Sequence, residues 1–324
     1  MLSVYIPAPQ GLKRLDRAQA EPIPEEALWL DLFEPSIDEE RLVEARLGVD
    51  VPTREEMREI ESSNRLYEEG GALYLTATIV TKLDSDLPEN AQVTFILQGS
   101  RIVTNRYTDP LPFRRFIAYA ENHPASCTSA SAILAGLIES IVNRIADVIE
   151  RVGSDMDISS ADVFGTQRRR TRAHPRDFRK VLERIGQSGE LIAKARESLV
   201  SLSRLLAFVQ QSTNPLPPDV RTRLRTLSKD VVAMSDHASF LGTNLNFLLD
   251  ATLGMINIDQ NNILKIFSVV TVFLLPPSVI AGVYGMNFEK IPGLHEAWGF
   301  GAAITAMVLS AVIPYLVFKR RGWL

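Results

Sequence analysis

Asn257, Asn261, Leu264, Ser268, Thr271, Leu275, Ser278 and Gly282 recur at intervals of four and three, the repeat that places side chains along one side of an α-helix. Amides and hydroxyls donate and accept hydrogen bonds without carrying charge. A stripe of them has two uses. It lets a neighbouring helix approach closely, or it lines a path for water. The opposite side carries Ile266, Val270, Phe273 and Ile280, which suits contact with lipid. The stripe ends at Tyr284-Gly285-Met286-Asn287, where a glycine free to take positive φ stops the helix. The amide carbonyl of Asn287 can then point along an axis. No charged side chain occurs from Ile266 to Met286, so the chemistry on offer is hydrogen bonding to water or to a hydrated solute.

Signatures of covalent catalysis are missing. The chain has no Gly-x-x-x-x-Gly-Lys loop, no His-Glu-x-x-His pair, no Cys-x-x-Cys and no Gly-x-Ser-x-Gly. His123, His174, His237 and His295 are scattered. An enzyme is not expected, and neither is transport driven by ATP hydrolysis in this chain. The single cysteine, Cys127, excludes an intramolecular disulfide and suits a reducing compartment. A net charge of −4 argues against a nucleic-acid partner. The one basic run, Arg168 to Lys180, lacks the interleaved aromatics that base stacking needs. It reads as a solvated turn or a contact with anionic headgroups.

The element that must carry the stripe is a membrane-spanning helix, because the run from Ile266 to Met286 is long enough, at ~1.5 Å per residue, to cross a ~30 Å hydrocarbon layer. A second apolar run, Ala297 to Phe318, follows a short loop and is closed by Lys319, Arg320 and Arg321. Since that loop holds only Lys290 among Lys and Arg, the positive-inside rule puts the C-terminus in the cytoplasm. Two spans return the N-terminal part to the same side. The start, MLSVYIPAPQ, lacks the features of a signal peptide, so export of that part is not expected. Glu289, Lys290, His295 and Glu296 then lie in an external loop, and the location is the inner (cytoplasmic) membrane.

Upstream, the strands expected are Leu2 to Ile6, Leu28 to Leu32, Ala72 to Val80, Val93 to Leu97 and Arg101 to Thr104, the last two joined across Gln98-Gly99-Ser100. Helices are expected over Ile37 to Leu47 and Arg54 to Glu61. Beyond Ser131, apolar residues repeat at fours and threes in three stretches beginning near Leu134, Phe178 and Val220, each a long packed helix. The Pro-rich break at Asn214 to Pro218 makes the second and third antiparallel. No charge cluster separates Asp219 from the membrane run, so the third helix continues into the bilayer, with Pro276-Pro277 kinking it there. The chain therefore divides into an α/β cytoplasmic domain (1–128), a long-helix stalk (129–262), a first span (263–287), a loop (288–296), a second span (297–318) and a basic tail (319–324), an α+β membrane protein.

Tyr284-Gly285-Met286-Asn287-Phe288, placed at the outer end of the penultimate span and followed by the basic, Trp-Leu tail Phe318 to Leu324, resembles the CorA family of divalent-cation channels. The resemblance covers the whole chain. It implies an α/β domain, a helical funnel, two spans per subunit and a homopentamer whose first span lines the pore and whose Asn287 ring selects the ion. The cargo implied is Mg²⁺, with Co²⁺ or Ni²⁺ as further ions, and no cofactor. Mg²⁺ sheds water reluctantly, so amide oxygens can hold the hydrated ion, whereas a carboxylate cage would bind too tightly for conduction. Leu264, Leu275 and the adjacent Phe267 would close the path by dewetting. Two features differ from the family pattern. The outer loop keeps Glu289 but has Gly293 where a second acid usually stands, leaving Glu296 to compensate. An intracellular regulatory aspartate is replaced by Thr226, with Asp230, Asp236 and Asp250 as the remaining candidates. A ZntB-like zinc transporter is the alternative within the superfamily, and a membrane-anchored structural or sensory protein the alternative outside it.

Overall fold

The computed structural model describes residues 1–15, 22–59, 61–82, 88–165, 177–212, 216–286, 292–293, 296 and 298–321. These fall into two compact units, Met1–Leu249 and Asp250–Leu324. The basic run expected from Arg168 lies outside the described residues as far as Arg176.

The first unit is built on a seven-stranded sheet. In chain order its strands are β1 (Leu2–Ala8), β2 (Gly11–Arg14), β3 (Trp29–Phe33), β4 (Leu66–Glu69), β5 (Ala72–Thr81), β6 (Glu89–Gln98) and β7 (Arg101–Arg106). They lie in the order β2-β1-β3-β7-β6-β5-β4. All neighbours are antiparallel except β3 and β7, which run parallel with Trp29 opposite Ile102 and Asp31 opposite Thr104. The β6–β7 hairpin turns at Gly99, whose φ of 57° falls in the left-handed region that a two-residue turn requires.

Strand alternation sends side chains to two buried faces. On one, Leu30, Leu32, Ile96 and Val103 meet Val43 of α1 (Ile37–Leu47). That helix starts in a capping box, Ser36 and Glu39 exchanging backbone bonds, and stops at Gly48 with φ 64°. On the other face, Trp29 stacks on Tyr5 with centroids 4.6 Å apart and meets Phe116 of α2 (Leu111–Ala120) edge-on at 5.9 Å. Phe113 of α2 stacks on Phe95.

Beneath α2 lies a buried polar cluster. Arg106 forms a salt bridge to Asp31 at 2.8 Å, with the two side chains only 6% and 3% exposed. The Thr104 hydroxyl donates to Asp31 and accepts from the Trp29 indole. The guanidinium also lies over the rings of Phe33 and Phe113. Every charge in the cluster is met, as a dry site demands.

Three long helices follow, α3 (Ala130–Phe164), α4 (Phe178–Gln211) and α5 (Pro218–Tyr284). Most positions expected at heptad spacing are buried, including Ile138, Ile145, Val152, Leu199, Leu206, Leu224, Val231 and Leu245, while Phe178 and Met234 are half-buried. Arg184 pairs with Asp162 at 3.1 Å, so α3 and α4 are antiparallel. Arg223 pairs with Glu139 and Phe247 stacks on Phe164, so α5 runs alongside α3 in the same direction. α4 also seals the sheet. β4 covers β5 only as far as Leu75, and beyond it Thr78 would present a bare edge. Its N–H donates to Ser201 and its carbonyl accepts from Ser198, both at 2.9 Å.

The helix expected over Arg54 to Glu61 is a single 3-10 turn, Glu56–Arg58. Thr53 and Glu56 cap it, but Met57 is its one buried residue, too little to hold further turns. β2, β4 and α2 carry little sequence signal and form through what surrounds them. At Gly11 of β2, for example, a Cβ would lie 2.0 Å from the carbonyl oxygen of Ala120.

Breaking the Asp31–Arg106 pair on one side leaves a buried guanidinium short of its main partner, at a cost of about 3–5 kcal/mol. Asp31→Ala should therefore speed amide hydrogen exchange throughout β3 and β7 in the purified chain. Unchanged protection of those strands would show that the pair is not what holds them.

Candidate functional site

The second unit contains the C-terminal part of α5 and all of α6 (Gly299–Arg320). Both helices contain a stretch long and apolar enough to cross a membrane. α5 stays helical through Pro276 and Pro277. Because proline has no N–H, the carbonyls of Val272 and Phe273 lose their partners in the helix.

Within α5 from Ile266 onward the half-buried positions are Val269, Val272, Phe273, Pro276, Pro277 and Ile280. On α6, Ala303 is buried and Met307, Ser310, Ala311 and Pro314 are half-buried. Both sets fall on one helical face. The rings of Phe273 and Tyr315 approach to 6.1 Å across the pair. Asn257, Asn261, Ser268, Thr271, Ser278 and Gly282 are all exposed, and so are Leu264, Phe267 and Leu275 at 62%, 66% and 59%. The polar stripe thus turns away from this chain's own second span.

Two of its hydroxyls are oriented by the helix itself. Thr271 donates to the Phe267 carbonyl at 2.8 Å and Ser278 to that of Leu274 at 2.7 Å. With the proton committed inward, the remaining lone pairs face outward. The stripe offers acceptors without charge, which suits the water shell of a cation.

α5 ends where Gly285 donates to Ala281 at 2.9 Å and Met286 to Val283 at 3.3 Å. Tyr284 is 36% and Met286 50% exposed. Asn287 and Glu289 lie outside the described residues. Glu296 is exposed, and its N–H donates to the Gly293 carbonyl. Asp230, Asp236 and Asp250 are exposed on α5, and among the described residues no three acidic, histidine or cysteine side chains are grouped so as to hold a metal ion. The expected regulatory acids are not brought together within a single chain.

The stripe was visible in the spacing, whereas one feature of the loop was not. Gly293 holds φ at 82°, and a Cβ on Gly299 would sit 1.9 Å from its carbonyl oxygen. This backbone contact fixes the start of α6, and two isolated glycines give no sign of it.

The CorA-like Mg²⁺ transporter protein family matches residues 24–320. The magnesium transport protein CorA of Escherichia coli K12 is 33% identical over 325 residues, covering 100% of both chains. That of Pasteurella multocida is 34% identical over 299 residues, or 92% of each. The complete structure of the CorA magnesium transporter of Methanocaldococcus jannaschii superposes with a TM-score of 0.76, covering 100% of this chain and 99% of that one. At 18% identity that likeness concerns the fold. The chain belongs to the CorA-like Mg²⁺ transporter family, membrane transporters rather than enzymes.

Gly299→Ala forces backbone to move and should cut the yield of monodisperse detergent-solubilised protein several-fold. Gly301→Ala, which meets open space, should not. Size-exclusion profiles of the two variants decide the matter, and equal yields would remove the Gly293–Gly299 contact from the account.

Proposed function

We propose that this member of the CorA-like family conducts hydrated Mg²⁺ into the cytoplasm through a path walled by α5 from several copies of the chain. The observation that carries the reading is the stripe itself. It is exposed, uncharged and rich in outward-facing acceptors, and it lies opposite the face that α6 covers. Relatives named as magnesium transport proteins support the choice of ion.

In this reading a homopentamer surrounds the path and Asn287 of each copy forms the outer ring. Amide oxygens accept hydrogen bonds from the ion's own waters, so the cost of stripping Mg²⁺ is avoided. Leu264, Phe267 and Leu275 form the apolar constrictions that close by dewetting. An inside-negative potential contributes ~2.3 kcal/mol per charge per 100 mV, and twice that for a divalent ion. Glu289 and Glu296 draw cations to the outer mouth. Asp230, Asp236 and Asp250 serve as regulatory sites only where copies meet. Lys319, Arg320 and Arg321 beside the last span support, by the positive-inside rule, a cytoplasmic side for both ends of the chain. Co²⁺ and Ni²⁺, similar in hydrated size, pass by the same route.

Reconstitution into liposomes with an imposed inside-negative potential tests this directly. Mg²⁺ influx is expected, blocked by cobalt hexaammine, an inert imitation of a hydrated ion. Flux without block would argue against hydrated-ion selection. Zn²⁺ flux alone would favour a zinc transporter, and no flux of any cation an anchor.

Asn287→Ala should reduce the preference for Mg²⁺ over Na⁺ by at least about tenfold, a loss of about 1.4 kcal/mol. Ion-replacement measurements on the same liposomes read it, and an unchanged ratio would take Asn287 out of the selection step.

A further inference from the structure

β3 and β7 are parallel neighbours, yet the chain leaves them toward opposite sides of the sheet. After β3, α1 closes the Leu30 and Leu32 face; after β7, α2 closes the Trp29 and Phe95 face. Such a parting opens a crevice beyond the carboxyl ends of the two strands, where open α/β sheets bind small ligands. Here the crevice is a cleft of about 610 Å³, within the size range of small-molecule sites.

Its walls combine apolar and cationic groups. Phe33, Leu111 and Pro112 supply the first kind, while Arg54, Lys82, Arg114 and Arg144 enter from four separate segments. The acids Glu34, Glu89 and Asp109 also line it. Glu89 is engaged by Lys82 at 2.8 Å, and Asp109 is shared between Arg106 at 3.0 Å and Arg114 at 3.4 Å. Arg144 reaches Asp147 at 3.6 Å. Arg54 is in none of these ion pairs and lies over the ring of Tyr107 at 5.4 Å.

Two further observations single this cleft out. Glu34 and Lys82 are the two non-glycine residues with positive φ among the described residues, at 43° and 55°, and both border it. Backbone strain of that kind gathers at ligand clamps. The Thr108 hydroxyl oxygen is also buried at its wall without a hydrogen-bond partner among the described residues. None of these features belongs to the ion pathway, since the cleft lies within the first unit and receives nothing from α5.

We propose that this cleft binds a small phosphorylated metabolite of nucleoside monophosphate size. Its phosphate lies among Arg54, Arg114 and Arg144, whose planar forks match phosphate oxygens. Its ring rests against Tyr107 and Phe33, and Thr108 gains the partner it lacks.

The full-length chain in detergent, with EDTA present to remove divalent ions, is titrated calorimetrically with AMP, adenosine and inorganic phosphate. AMP should bind saturably and be displaced by phosphate, while adenosine binds far more weakly. Arg54→Gln combined with Arg114→Gln should weaken AMP by at least about tenfold, as expected for lost charge-assisted bonds. Hydrogen exchange in β3 and β7 should stay unchanged, showing that the fold survives. The proposal is overturned by the absence of saturable AMP binding up to about 10 mM, by adenosine binding as tightly as AMP, or by unaltered affinity in the double variant.

Discussion

One unbroken helix, Pro218–Tyr284, has to satisfy two solvents, and the rest of the molecule is arranged around that demand. Up to Leu248 its buried positions follow a heptad-like repeat and pack against α3 and α4. From Ile266 onward there is no charged side chain to stabilise it in water, and apart from the Val272 and Phe273 carbonyls freed by Pro276 and Pro277 its backbone bonds are of the kind a helix makes internally, as hydrocarbon requires. The polar stripe is not that packing face carried on: from Leu248 to Asn257 is nine residues, about half a helical turn out of phase. The helix thus keeps its period while the stripe of amides, hydroxyls, Leu264, Leu275 and Gly282 occupies a different face.

The stripe carries no charged side chain. A carboxylate in the span would hold a divalent ion strongly, and an exposed apolar face would not hold water. Hydroxyls whose protons are turned back onto the Phe267 and Leu274 carbonyls give acceptors of intermediate strength. The apolar face, meanwhile, is covered by α6 through Phe273 and Tyr315. The two faces of one helix thus divide the work of seating the span and of presenting oxygen atoms.

The first unit solves a different problem, a mixed sheet with buried faces and a part-open edge. Serines on α4 close the edge at Thr78, taking its N–H and carbonyl together, because both groups of a strand residue point to the same side. Asp31, Thr104, Trp29 and Arg106 form a closed set of bonds under α2. Such a set is costly to leave half made, so it favours one strand register over its neighbours. The parallel β3–β7 pair is what places the chain's departure points side by side, and with them the cationic cleft.

Patterns of type and spacing were enough to place the longer strands, α1, the three long helices, the two membrane-length runs and the polar stripe, because each depends on a local period that folding does not alter. Tertiary structure alone decided the rest. β2, β4 and α2 are short and stand only because neighbours bury them, Gly11 against Ala120 and Phe113 and Phe116 against the sheet. Arg54 to Glu61 had a helical pattern but only Met57 to anchor it. The direction in which the stripe faces, the Gly293–Gly299 contact and the cleft at the ends of β3 and β7 join residues distant in the chain. Such meetings depend on which surfaces pack together, and no period along a sequence encodes them.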